Sequence, residues 1–227
     1  MKGALLAVLT GALLIPELSW NLQAGTIHPR RVPAVIFTWS WSSANPPYYS
    51  IAITPMGSVT YKSFPNSDLK TGSPYVIEFE ASRGVRTRIF ALAQQLNFFR
   101  NKYRITQNSN PSAVSKSLTY DTGLNQTRVI YTTTSSRRIR ELTGLFERMS
   151  STINTRRLLE AMRLNDPSGL EPELKGLEIQ CTRKKLVEPQ ILIPALRQIA
   201  ADSSVPQPAR QDAQSILHRN ALALHLN

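Results

Sequence analysis

The stretch RRIRELTGLFERMSSTINTRRLLEAMR, Arg137 to Arg163, decides the architecture. It reads as helix throughout, but its apolar face does not stay in one place. At about 100° per residue, Ile139, Leu142, Leu145, Phe146, Met149 and Ile153 form one stripe. Leu158, Leu159 and Met162 then fall on the opposite side. The turn of face comes after Ser150-Ser151-Thr152, a run of middling helix formers. A helix built this way closes one core with its first half and offers its second half to another. It predicts a connector between two lobes.

Upstream of the helix the chain reads in strands. VIFTWSW (35–41) alternates, with Val35, Phe37, Trp39 and Trp41 on one face. YYSIAITPMGSVTYKSF (48–64) is a hairpin whose turn, Pro55-Met56-Gly57, places glycine where φ can be positive. PYVIEFEAS (74–82) is a further strand, with Tyr75, Ile77 and Phe79 inward and Glu78 and Glu80 outward. A helix over about 85–100 follows, carrying Ile89, Leu92, Ala93, Leu96 and Phe99 at helical spacing.

The pattern then recurs. SLTYDTGLNQTRVIYTTTS is a second hairpin leading into the Arg137 helix. VTY (59–61) matches LTY (118–120), YVIEFEAS (75–82) matches RVIYTTTS (128–135), and IFALAQQL (89–96) matches IRELTGLF (139–146). Two strand–strand–helix units predict an α+β fold, an antiparallel sheet with helices on one face.

Beyond NDPSGLEP (165–172), which breaks the helix, the sequence predicts an all-helical C-terminal tail. Its expected helices cover 172–188, 191–205 and 206–226. Leu192, Leu196, Ile199, Ala200, Ala209, Arg210, Ala213 and Leu217 resemble one HEAT-like helix pair. A lone pair cannot stack as a solenoid does, so its apolar face must dock elsewhere.

The first 24 residues have the order of a secretory signal peptide: a cationic start at Lys2, an apolar run from Gly3 to Ile15, then Pro16 and small residues at Ala24 and Gly25. That run is shorter than the roughly 20 apolar residues that span a bilayer. The expected organisation is a signal peptide over 1–24, an α+β domain over 25–153 and a helical lobe over 154–227. The expected location is periplasmic or secreted, with no transmembrane span.

The hairpin run YYSIAITPMGSVTY, followed by a strand and a helix ending LNFF, resembles uncharacterised bacterial exported domains. These carry a Y-x-[LI]-x-I, G-x-V-x-Y hairpin and a helix ending in a Phe pair. The resemblance covers roughly residues 46–99 and implies no activity. The cysteine pair common before that hairpin is absent from this chain.

Composition narrows the chemistry. The 227 residues carry a net charge of +12, 41% hydrophobic and 19% charged residues, which fits a folded basic protein. Cys181 is the only cysteine, so no internal disulfide forms. The three histidines are His28, His218 and His225. The last two would lie about 10.5 Å apart along a helix, too far to share a metal. Glu78 and Glu80 share a strand face, which suits general acid–base work and equally the wet side of a half-buried strand. Arg183, Lys184 and Lys185 follow Cys181 closely, but no histidine lies nearby in sequence to act as its base.

Two groups are suited to binding. Trp39, Trp41, Tyr48 and Tyr49 cluster around Asn45-Pro46-Pro47, where flat rings serve either core packing or stacking on sugars. Arg137, Arg138, Arg140, Arg156 and Arg157 crowd the connector helix without forming one stripe. No cofactor motif is present. The sequence points to a non-enzymatic module that contacts another envelope protein. The alternative is a binder of anionic polymers, nucleic acid or polysaccharide, through its basic surface.

Overall fold

The computed structural model describes residues 32–65, 73–108, 110 and 113–224. The expected signal peptide, its cleavage site, His28 and His225 lie outside the described residues.

Six strands form one antiparallel sheet: β1 (Ala34–Ser40), β2 (Tyr48–Ile53), β3 (Ser58–Phe64), β4 (Tyr75–Glu80), β6 (Ser115–Asp121) and β7 (Gln126–Tyr131). Their order is β4-β3-β2-β1-β6-β7. A separate two-stranded ribbon pairs β5 (Ile105–Thr106) with β8 (Thr133–Thr134), a pairing that no periodicity announces. Two helices, α1 (Arg83–Gln95) and α2 (Arg137–Asn165), share one hydrophobic cluster with the sheet. The fold is α+β.

Register converts strand alternation into layers. The middle layer is Ile77–Tyr61–Ile51–Phe37–Leu118–Val129, each residue opposite the next across the sheet. All six are buried. Ile89, Leu92 and Ala93 of α1, with Ile139, Leu142, Phe146, Met149 and Ile153 of α2, close over this face. The other face carries short and hydroxylated residues, including Thr38, Ser50, Ala52, Thr60, Ser117 and Thr119.

The two units share a burial pattern in their helices but not in their strands. Ile89 and Ile139, Leu92 and Leu142, and Ala93 and Thr143 are buried in pairs, as the helix match requires. The strand match fails by one residue. Ile77 faces the core, whereas its sequence counterpart Ile130 is 39% exposed and Val129 and Tyr131 point inward. A one-residue shift reverses every side chain in a strand.

At Gly57 φ is +106°, and a side chain there would bring Cβ to 3.1 Å from Glu80 Oε2. The positive φ favours glycine, while the exposed Glu80 side chain could move aside. The helix expected to run to residue 100 stops at Gln95. Asn97, Phe98 and Phe99 instead take φ of 45°, 49° and 64°. Left-handed backbone costs roughly 1–2 kcal/mol per residue, and tertiary contacts offset it here. The hydroxyls of Tyr103 and Thr127 donate to the carbonyls of Leu96 and Phe98, while Phe98 packs on Tyr120 with ring centroids 4.4 Å apart.

Helix α2 is continuous over 29 residues. Its Leu159 lies in a second cluster with Leu170, Leu174 and Leu177 of α3 (Leu170–Thr182), Leu196 and Ile199 of α4 (Ile193–Ala201), and Ala213 and Ile216 of α5 (Gln207–Leu224). Met162 packs against the same cluster, but Leu158 is exposed and does not join it. Arg163 near the end of α2 donates to Asp202 at 2.7 Å. Hydrogen bonds from Ser204 and Arg163 hold the Asp202 carboxyl down to about 2.

The tail also reaches back into the first cluster. α3 ends at Thr182, short of the expected 188, and the segment after it turns through positive φ at Lys184 and Glu188. Val187 and Ile191 are buried with the sheet residues. The Thr152 hydroxyl donates to the Val187 carbonyl at 2.8 Å. Glu188, 2% exposed, accepts from the Ser82 amide at 3.0 and 3.1 Å and from the Ser82 hydroxyl at 3.0 Å. Ser82 caps α1, so this carboxylate sits at a helix N-terminus, where the dipole favours it. Glu188→Gln should lower stability by about 2 kcal/mol, since hydrogen bonds to a charged group contribute about 1.5–3 kcal/mol. Urea denaturation measures it; an unchanged midpoint would remove Glu188 as a clamp.

Candidate functional site

One edge of the core-facing side of the sheet is not apolar. One layer out from the Phe37 layer, register aligns Tyr75–Ser63–Tyr49–Trp39–Lys116–Tyr131. Strand periodicity puts these side chains on the same face as the core, but at the rim where α2 leaves a groove. The rings form a ladder. Trp41 meets Trp39 edge-on at 6.3 Å, Trp39 stacks on Tyr49 at 5.3 Å, and Tyr49 stacks on Tyr61 at 5.8 Å. Tyr61 then meets Tyr75 at 6.3 Å, and the Arg157 guanidinium lies 5.2 Å from the Tyr75 ring centroid.

Above this floor, α2 supplies polar groups at helical spacing. A hollow of about 480 Å³ is lined by Trp39, Tyr49, Glu147, Ser150, Ser151, Asn154, Thr155 and Leu158. A second hollow of about 370 Å³ lies on the other side of Glu147, against Tyr131, Thr143 and Arg140. Lys116 pairs with Glu147 at 2.7 Å between the two. Burial, and next the charge of Glu147, push the Tyr49 phenol well above its ordinary value. Burial likewise pushes Tyr131 well up and raises Tyr61. These phenols stay protonated. The nearby Ser150 side chain acts against the rise at Tyr49 and Tyr61, but by less than burial. The Tyr61 hydroxyl also donates to Asn154 Oδ1 at 3.4 Å.

Chemically the groove offers stacking surface, neutral donors and a self-compensated ion pair. Groups of this kind can engage the flat faces and the acceptors of a ligand.

The structure divides the expected aromatic cluster. Trp39, Trp41 and Tyr49 belong to the ladder, while Tyr48 projects to the opposite face against Phe64, 5.7 Å away. The five arginines are not gathered. Arg137 is exposed, Arg138 donates to Gln95 at 3.0 Å, and Arg140 donates to the Thr134 carbonyl at 3.3 Å. Arg156 pairs with Glu160 at 2.7 Å, and Arg157 covers Tyr75. Along the helix axis Arg137 and Arg156 are separated by about 28 Å. Glu78 and Glu80 are exposed, and Cys181 is partly buried against the second cluster. Among the described residues no group of three or more His, Cys, Asp or Glu side chains is placed to hold a metal ion. No described helix is long and apolar enough to cross a membrane.

Tyr61, Tyr75, Lys116, Glu147, Ser150 and Asn154 complete the groove, and sequence reading does not single them out as a site. Tyr61 and Tyr75 are legible as inward strand residues, but only register aligns them with Trp39. No protein-family model and no curated protein matches the chain.

Proposed function

We propose that this protein is a non-enzymatic interaction module of the cell envelope whose rim groove holds a segment of a partner protein. The observation that carries the reading is the groove over Trp39 and the edge of the nearly buried Tyr49, with Trp41 and Leu158 left 41% and 45% exposed beside it. An apolar, aromatic centre inside a polar rim is the anatomy of a protein interface, and Trp, Tyr and Arg dominate binding energy at such sites. The apolar order of residues 1–24 and the resemblance of the 46–99 region to exported domains support the envelope setting.

The test is quantitative capture from envelope extract with the wild type and with Trp41→Ala and Leu158→Glu. Both side chains are exposed, so the fold should survive each change. Loss of at least about tenfold in affinity is expected for Trp41→Ala, the effect of a hot-spot residue. Undiminished capture by both variants would show that the groove is not the docking surface.

The net charge of +12 supports a second reading, binding to anionic polymers. That binding would fade steeply between about 50 and 200 mM salt, because counterion release drives it. It would also be indifferent to Trp41→Ala.

A further inference from the structure

On the far side of Ser151 from the aromatic groove, a second kind of site is built. A hollow of about 460 Å³ is lined by Arg148 and Ser151 of α2, Gln180 of α3, and Lys184, Lys185 and Leu186 of the turn that follows. The two lysines follow the C-terminal end of α3, where cations complement the helix dipole. That explains their presence but not Arg148, which arrives from another helix 36 positions earlier in the chain. No acidic side chain lines the hollow. Elsewhere Arg88, Lys116, Arg156, Arg163, Lys175 and Arg219 each sit against a carboxylate. Among the described residues Arg148, Lys184 and Lys185 have no such partner.

We infer that this hollow binds the phosphate group of a soluble phosphomonoester. Three exposed cations line the hollow with no carboxylate among them, and a dianionic phosphoryl group would offset most of that charge. Arg presents a planar fork of donors and each Lys three donors on a point charge, while Ser151 and Gln180 add neutral ones. A tetrahedral dianion with three free oxygens can use donors arriving from three directions, whereas a carboxylate carries half the charge and presents its acceptors in one plane. The hollow falls in the size range of small-molecule sites, well beyond a lone phosphate. Leu186 provides apolar wall for the organic part. Lys184 is fixed in the left-handed region, at φ +50°, by the turn in which its amide donates to the Cys181 carbonyl at 3.0 Å. The backbone that carries Lys184 is therefore set by the α3 C-terminal turn.

The experiment is titration of the full-length chain with inorganic phosphate, phenyl phosphate and, at matched ionic strength, chloride. Amide chemical shifts of Ser151, Gln180, Lys184 and Lys185 report binding. Saturable shifts with both phosphates are expected, phenyl phosphate binding the tighter. Arg148→Gln should weaken it about tenfold, the effect of losing a charge-assisted hydrogen bond. Lys62→Gln, which removes an exposed charge from the opposite face of the sheet, should bind as the wild type does. Equal shifts with chloride, or equal loss in Arg148→Gln and Lys62→Gln, would overturn the site in favour of general charge screening. Retention on phosphatidic-acid vesicles with no response to phenyl phosphate would overturn it in favour of a membrane surface. Both variants are read alongside their thermal midpoints, and an unchanged midpoint assigns lost binding to the site itself.

Discussion

Replacing Phe146 with Ala should cost about 3–5 kcal/mol and loosen the whole sheet–helix unit. The side chain is fully buried and stacks on Phe37, with centroids 5.4 Å apart and ring planes 11° from parallel. Phe37 is the centre of the Ile77–Tyr61–Ile51–Phe37–Leu118–Val129 layer, so the pair joins α2 to the middle of the sheet. Such aromatic pairs add about 0.5–1.5 kcal/mol beyond the area they bury. The cavity left by Ala would open against rigid strand residues that cannot collapse into it. Urea denaturation should show a lowered midpoint, and amide exchange should rise together in β1, β2, β6 and α1. A loss confined to α2 would mean that the helix is not integral to that core.

What the sequence disclosed follows from short-range periodicity. Val35 and Phe37, Ile51 and Ile53, and Val59 and Tyr61 alternate, and all six are buried in β1, β2 and β3. The paired burial in α1 and α2 follows from helical spacing. What it withheld depends on register and long-range packing. The match of Ile77 to Ile130 is good by residue type but wrong by one position, because strand parity is set by cross-strand pairing. Tyr48 and Tyr49 are adjacent in the chain and so fall on opposite faces. Their proximity in sequence is what kept them from forming one cluster. The groove likewise needed β4, β3, β2, β1 and β6 in order before Tyr75, Tyr49, Trp39 and Lys116 could line up. Glu188 is an unremarkable glutamate in sequence; only the fold carries it to the cap of α1, 106 residues away.

Leu159→Ala should cost about 2–5 kcal/mol, and its damage should be local. Leu159 is 1% exposed and belongs to the cluster of Leu170, Leu192, Leu196 and Ile199, separate from the cluster that holds the Phe37 layer. Neighbouring Leu158 provides the control. It is exposed over the groove, so Leu158→Ala should change stability by no more than about 0.5 kcal/mol. Local opening follows cooperative packing units. Exchange should therefore rise in α3, α4 and α5 while the sheet amides keep their protection. Two ties oppose a clean separation: the Thr152 bond to Val187 and the Glu188 clamp on Ser82. Both anchor the segment between α3 and α4 to the first cluster, so α4 and α5 should open further than the 187–192 stretch. If Leu159→Ala instead raises exchange in β1 and β2 as much as in α5, the continuous α2 helix transmits the loss. The protein then unfolds as one unit despite its two clusters. If exchange changes nowhere and stability falls by less than about 1 kcal/mol, the tail repacks around the cavity, and Leu159 does not hold the second cluster to the helix.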